Sequence, residues 1–267
     1  LDSVTIARSR RHIEKYYDTT DIGKFPERLK PISLRPCLTD LGNAINYNQI
    51  YELLISLNLS IYTPTYYIMP SRLSKYEDLT HNKGTSLTQK GREEGIRRLM
   101  SINLLKRLES SVYAFRLTID RVYQLIQSTI ETIHAYQSGE QLLDLQDLSD
   151  ADEFDLDDQN TDYFSVGRKI KIDLADMDYL SWLRDLEKDA ENLQLLSLMI
   201  SDIAPVHDTK LQTLLNLIRE KQGHPINPGN RKIIIFTAFS DTADYLYQQV
   251  APFVKQNFEL NTAEITG

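Results

Sequence analysis

The chain contains very little cysteine and no long run of apolar residues. Its 267 residues include one cysteine, Cys37, so neither an internal disulfide nor a cysteine metal cluster can form. A lone thiol is typical of proteins kept in a reducing compartment, and we expect a cytoplasmic location. The longest apolar stretches, such as residues 233–236, are far too short to cross a lipid bilayer, so we expect no membrane partner.

Motifs that bind nucleotides or metals are also missing from the sequence. There is no Gly-x-x-x-x-Gly-Lys-Ser/Thr loop to cradle phosphates, and no Asp-Glu box follows a predicted strand to hold magnesium. The five histidines are scattered without the spacing of metal ligands: His12, His81, His134, His207 and His224. We therefore expect no catalytic, cofactor-binding or metal-binding residues in the chain, which should not hydrolyse ATP by itself.

Negative charge is concentrated in one part of the chain. The net charge is −8, and residues 122–167 hold 11 acidic side chains and no basic ones. Residues 1–121 instead hold 19 basic and 13 acidic side chains. Carboxylates crowd within residues 150–158, and because like charges repel, we predict a mobile acidic loop over residues 140–167. The overall acidity does not exclude a basic nucleic-acid surface elsewhere, because salt confines such fields to about 8–10 Å.

Apolar residues repeat with helical spacing across residues 39–204. One helix is predicted over residues 39–57, a long one over 93–137 and another over 174–203. In the long helix, steps of three and four residues separate Leu105, Leu108, Val112, Phe115, Ile119, Val122 and Ile126. This heptad spacing keeps one stripe of side chains facing a partner helix. We therefore predict a long antiparallel helical hairpin with the acidic loop at its end.

The pattern changes after Pro205. A helix is predicted over residues 210–222, a buried strand over 231–237, a second helix over 241–254 and a second strand over 259–265. The first strand carries a continuous apolar run of four residues, which is typical of a strand covered on both faces. Helices that alternate with strands indicate the opening of a parallel sheet. The predicted fold is therefore mainly α with a partial α/β part.

Three groups of local sequences follow one another along the chain. The first is basic and consists of residues 7–17 (ARSRRHIEKYY), 25–28 (FPER) and 47–51 (YNQIY). The second consists of residues 91–100 (GREEGIRRLM) and 103–111 (NLLKRLESS). The third consists of residues 208–215 (DTKLQTLL), 232–243 (KIIIFTAFSDTA) and 265–267 (ITG). The order of the three groups along the chain is a stronger signal than any one group alone.

In this order, the three groups resemble Swi/Snf-type superfamily 2 helicases, a family of ATP-driven DNA translocases. The resemblance implies that residues 1–38 leave a first RecA-like lobe, that 39–204 form a helical insertion, and that 205–267 begin a second RecA-like lobe. It also implies an intact parent that binds ATP and Mg²⁺ and moves on double-stranded DNA. The chain would then be a non-catalytic fragment whose partners are that DNA and the missing lobe segments of the same polypeptide.

The resemblance also points to residues that contact DNA. In the family, the end of the first strand of the second lobe lies near the nucleic-acid backbone, and hydroxyls at a helix N-terminus are good phosphate ligands. The candidates are Thr237, Ser240 and Thr242, together with the basic side chains of Arg92, Arg97, Arg98, Lys106 and Arg107. The hydroxyls could equally cap the helix, and the basic side chains could pair with nearby carboxylates.

One alternative of another class stays open at this stage. A heptad seam can serve a partner protein, so the chain could be a non-enzymatic helical interaction module. The predicted strand and helix that follow Lys232 argue against this alternative, because an interaction module of helices has no need for them.

Overall fold

The computed structural model describes residues 10–18, 20, 29–42, 46–80, 89–139, 172–226 and 228–266. The chain divides into two compact units, residues 1–35 and 36–267. In the first unit, helix α1 spans Arg10–Tyr16, and the ring of His12 packs against that of Tyr16 at 4.7 Å. The acidic loop predicted over residues 140–167 lies outside the described residues.

The second unit is built from helices, which confirms the mainly α prediction. They are α2 (Tyr47–Ser56), α3 (Leu73–Thr80), α4 (Gln89–Ser110), α5 (Val112–Ser138), α6 (Tyr179–Ile200), α7 (Thr209–Gly223) and α8 (Ser240–Phe258). Short 3-10 turns over residues 60–62, 64–67 and 70–72 connect α2 to α3. No helix in the described part of the chain is both long and apolar enough to cross a membrane.

Helices α5 and α6 form the predicted antiparallel hairpin. Near the start of α5, Arg116 donates to the carbonyl oxygens of Ile200 and Ile203 at 2.6 and 3.2 Å, so its guanidinium caps the end of α6. At the other end of the pair, the rings of Tyr136 and Tyr179 meet edge to face at 5.5 Å. The seam residues of α5 are buried against α6 and the neighbouring helices, and they form the centre of the core.

The prediction of a single long helix over residues 93–137 is wrong, because the chain forms two helices that are divided at Ser111. Ser111 has an extended backbone (φ −159°, ψ 150°), and its side chain accepts a hydrogen bond from the amide of Ala114 at 3.0 Å. A serine in this position caps a new helix, so α5 starts directly after α4 ends and the two helices pack against each other. The heptad spacing continues across the break, which is why apolar periodicity alone does not reveal it.

A buried carboxylate holds the connection after α2 onto helix α6. Asp189 of α6 accepts hydrogen bonds from the amides of Asn58 and Ser60 at 2.7 and 2.9 Å and from the Ser60 hydroxyl at 3.0 Å. Burial raises the pKa of Asp189, while these donors oppose the rise. Close by, the indole of Trp182 donates to the carbonyl of Ser60 at 3.1 Å. The turn at residues 58–60 is therefore fixed by α6, although the two segments are far apart in sequence.

The predicted strands of the C-terminal part are not formed among the described residues. Residues 231–237 and 259–265 have no sheet partner there, and the only β pairings described are two isolated bridges, Thr39 with Asp208 and Ile68 with Met177. A strand is defined by backbone hydrogen bonds to a neighbour, so an apolar run with strand propensity stays unpaired when no neighbouring strand is supplied. The partial α/β prediction is corrected accordingly for the described chain.

The replacement Asp189→Asn should lower the free energy of unfolding by about 1–3 kcal/mol. Asparagine offers one acceptor oxygen where the carboxylate offers two, and its NH₂ group would face an N–H donor. Urea unfolding can be followed through the fluorescence of Trp182, the only tryptophan of the chain. The exposed Glu187→Gln on the same helix is the control and should change stability by less than about 0.5 kcal/mol. Equal effects of the two variants would contradict this role of Asp189.

Asp176 should make stability depend on pH in the acid range. Its carboxylate accepts from Lys75 at 2.5 Å and from the Tyr76 hydroxyl at 2.7 Å, and these hydrogen bonds lower the pKa of Asp176. A lowered folded-state pKa adds stability above the unfolded pKa of about 3.9, and that stability is lost as pH falls through the folded value. Asp176→Asn should therefore flatten the acid limb of stability against pH, measured by urea unfolding. An unchanged slope would show that Asp176 does not contribute.

Candidate functional site at a junction of helix ends

Four helix ends meet at one place in the second unit: the end of α4 and the starts of α5, α7 and α8. We call this place the helix-end junction. Its residues are Arg107, Ser110, Ser111, Tyr113, Asp208, Lys210, Phe239, Asp241, Thr242 and Tyr245. All of them except Tyr113 and Tyr245 come from two of the three sequence groups singled out above, residues 103–111 and residues 208–215 with 232–243.

A buried ion pair joins α4 to the first turn of α8. Arg107 is 1% exposed, and its Nη1 lies 2.7 Å from an Asp241 carboxylate oxygen. The guanidinium also lies over the ring of Phe239, 4.6 Å from its centre, which is a favourable cation–π geometry. Arg121 of α5 reaches the same oxygen of Asp241 at 3.5 Å. Removing one partner of such a pair leaves a buried charge, so the pair fixes α8 relative to α4 and α5.

A cluster of hydroxyls lies beside the ion pair. The hydroxyl of Thr242 is hydrogen-bonded to that of Ser110 at 2.8 Å and to that of Ser111 at 3.0 Å. Ser111 is also the residue that caps α5, so the break between α4 and α5 is part of the contact with α8. At the protein surface, the hydroxyl oxygens of Thr237 and Ser110 lie 3.4 Å apart.

The first turn of α7 completes the junction. Asp208 caps α7 by accepting from the amide of Leu211 at 3.0 Å, and it also accepts from the Tyr245 hydroxyl at 3.0 Å. Burial and the nearby Asp208 raise the pKa of Tyr245, whose ring stacks on Tyr113 at 5.0 Å. Lys210 donates to the last carbonyls of α4, where a positive charge is favourable.

The candidate DNA-binding residues lie in three places: buried in the junction, exposed near the junction, and toward the other end of α4. Arg107 and Thr242 are buried in the junction, and their side chains bind within the protein, out of reach of a phosphate in this conformation. Thr237, Ser240 and Lys106 lie near the junction and are at least partly exposed. Lys106 and Ser110 are four residues apart on α4, so they share one face of that helix, and Thr237 lies against the same face.

The remaining arginines lie toward the other end of α4. Arg97 and Arg98 both bind the same oxygen of Glu94, at 2.7 and 3.2 Å, and flank a groove between α2 and α4. Arg92 lies further toward the N-terminus of α4 and is partly exposed. The five basic candidates therefore do not form one continuous patch, because a turn of about 100° per residue sends neighbouring positions to different sides of a helix.

Several residues of the junction were not among the sequence candidates. Asp241, Ser110, Ser111 and Tyr245 gain their roles only because α4 and α8 meet, which no local pattern encodes. The sequence did contain a signal for one of these residues, Asp241. An acidic side chain in the first turn of a helix, as at Asp241, is common near the positive end of the helix dipole, and a buried arginine requires such a partner.

Comparison of the chain with protein-family models, curated proteins and solved structures gives no match. Within the residues that the structure describes, no group of three or more His, Cys, Asp or Glu side chains could hold a metal ion. The described residues define a helical protein whose α5–α6 hairpin is joined to the C-terminal helices α7 and α8 through a buried, charged junction.

A double-mutant cycle should reveal strong coupling between Arg107 and Asp241. Arg107→Ala should destabilise α8 by about 3 kcal/mol, because Asp241 is left with the more distant Arg121 alone. Asp241→Asn should cost less after Arg107 has been removed, with an interaction energy of at least about 1 kcal/mol. Hydrogen exchange of the α8 amides measures both effects locally. Additive effects of the two replacements would contradict a coupled pair.

Proposed function

We propose that the chain is the helical insertion and the start of the second RecA-like lobe of a Swi/Snf-type DNA translocase. In this proposal it is not catalytic itself and contributes DNA contacts and coupling between the two lobes. The observation that carries the proposal is the helix-end junction, which ties the helical hairpin to the helix that follows the apolar segment 231–237. The resemblance assigns the two sides of this contact to the insertion and to the second lobe.

The exposure of the apolar segment 231–237 supports its assignment to a lobe whose sheet needs further strands. Ile233 and Ile235 are 36% and 39% exposed, whereas Ile234 and Phe236 are 77% and 90% exposed. Exposure thus alternates with the period of a strand, and one face is partly covered while the opposite face is bare. Apolar side chains on both faces are typical of a central strand of a parallel sheet. In the proposal, the missing lobe segments of the same polypeptide supply the neighbouring strands and the second covering layer.

The junction suggests how movement would be transmitted. A translocase opens and closes its lobes around ATP and Mg²⁺, which the parent would bind with residues outside this chain. The ion pair between Arg107 and Asp241 connects α4 directly to α8. Rotation of the second lobe would therefore carry the α5–α6 hairpin with it. The hairpin would then act as a rigid arm that guides duplex DNA in the cytoplasm.

Contacts with DNA are assigned to the exposed candidates near the junction. Lys106 and Thr237 are exposed and Ser240 is partly exposed, and Thr237 lies against Ser110, four residues after Lys106 on α4. Arg107 and Arg121 offset the charge of Asp241, so the carboxylate does not repel a phosphate there. Arg92, Arg97 and Arg98 would contribute only if the duplex extends along α4.

The alternative of a non-enzymatic interaction module has less support. It needs the heptad seam to face a partner protein, but Phe115, Ile119, Val122 and Ile126 are already buried inside the second unit. A seam that is used within the chain cannot bind a partner without unfolding the hairpin. We therefore keep the translocase proposal as the conclusion.

The direct test is the ATPase rate of the intact gene product with and without double-stranded DNA. We expect strong stimulation by duplex DNA that declines steeply as salt rises, because phosphate contacts release counterions. Lys106→Gln should raise the DNA concentration needed for half-maximal stimulation, whereas Lys188→Gln, on the exposed side of α6, should not. No ATPase from folded, pure, intact protein under either condition would overturn the proposal.

A further inference from the structure

An open groove of about 260 Å³ lies between α2 and α4, away from the helix-end junction. Tyr51 and Ile55 of α2 form one wall, Ser101 and Leu105 of α4 form the other, and Arg97 and Arg98 stand at the rim. Only Arg97 and Arg98 are shared with the proposed DNA contacts, so the apolar walls of the groove need an explanation of their own.

Helix α2 presents apolar side chains on two sides. Its start is fixed by a capping box in which Asn46 and Gln49 exchange hydrogen bonds at 3.0 Å. Ile50 and Leu54 are buried in the core, whereas Tyr51 and Ile55, one position further along, are 48% and 64% exposed. Residues four apart lie on one face of a helix, so Tyr51 and Ile55 form a second apolar stripe along the groove.

Helix α4 continues the apolar stripe on the opposite wall. Leu105 lines the groove, and Ile102 is exposed one helical turn beyond Arg98 on the same face of α4. The groove is therefore an open channel between two helices rather than a closed cavity for a small ligand. An amphipathic helix lying in a channel of this kind is a recurring mode of protein recognition.

The charge at the rim is positive. Arg97 and Arg98 share a single oxygen of Glu94, at 2.7 and 3.2 Å, so one carboxylate faces two guanidinium groups. The hydrogen bond from Arg97 lowers the pKa of Glu94, which keeps that carboxylate ionised. Among the described residues that meet at this rim, two guanidinium groups face one carboxylate, and guanidinium groups can bind a second carboxylate in a bidentate manner.

We propose that this groove binds an acidic amphipathic helix of a partner protein. Its apolar side chains would cover Tyr51, Ile55 and Leu105, and its carboxylates would bind Arg97 and Arg98. The aliphatic lining favours a peptide over nucleic acid, because a phosphodiester backbone offers nothing to cover Ile55 and Leu105. The inference does not rest on the proposed ATP-driven function, and its test does not require ATPase activity or DNA.

A labelled synthetic peptide of about 18 residues serves as the probe, with leucine at helical spacing on one face and Asp or Glu elsewhere. A second peptide of the same composition, in an order that leaves no apolar face, is the control. Fluorescence anisotropy with the full chain should give saturable binding of the first peptide, at least about tenfold tighter than that of the second. Similar affinities for the two peptides would overturn the proposal.

Paired variants test the site itself. Arg97→Gln with Arg98→Gln should weaken peptide binding at least about tenfold, and Ile55→Ser should do the same, with circular dichroism confirming that each variant is folded. Arg184→Gln with Lys188→Gln removes two positive charges from α6 and should change the affinity by less than about twofold. Equal weakening by both charge pairs would mean non-specific attraction and would reject the groove as the site.

Two further results would also overturn the proposal. Duplex DNA that competes with the peptide, and that loses affinity with Arg97→Gln and Arg98→Gln, would assign the rim arginines to nucleic acid. Peptide binding seen only after deletion of residues 140–167 would assign the groove to the acidic segment of the same chain.

Discussion

The ion pair between Arg107 and Asp241 is the interaction on which the arrangement of the second unit depends. A guanidinium that is almost fully buried is stable only with a charged partner and further contacts, and here Phe239 and Asp241 supply them. Both partners sit at helix ends, so their geometry determines how α8 is directed away from the hairpin. The hydroxyls of Ser110, Ser111 and Thr242 satisfy one another beside the pair.

The rest of the second unit makes this contact rigid. The α5–α6 hairpin carries the apolar core, and Asp189 and Trp182 fasten the turn after α2 to α6. Because side chains in such a core are close-packed, α4 and α5 cannot shift independently of α6. Movement imposed on α8 would therefore be felt by the whole hairpin, which is the basis of the proposed coupling role.

Sequence reasoning succeeded where the fold follows from local patterns. Apolar periodicity predicted the hairpin, and it also predicted the helix over residues 210–222, which is α7. It failed at Ser111, because the heptad spacing runs on through a residue whose side chain caps a new helix. It also failed at residues 231–237, where strand propensity is present but no neighbouring strand is described. Arg107 and Thr242 were proposed for DNA from the resemblance, whereas their burial follows from the contact between α4 and α8, two helices that are distant in sequence.

The central claim is that the junction couples the hairpin to the second lobe. It is tested most directly by the ratio of DNA-stimulated to basal ATPase rates in the intact gene product carrying Arg107→Met, a replacement that removes the charge but retains much of the volume. Our account predicts a basal rate close to that of the unmodified protein and a stimulation ratio reduced by about tenfold, or roughly 1.4 kcal/mol of coupling. An unchanged ratio in a folded variant would contradict the coupling role of the junction.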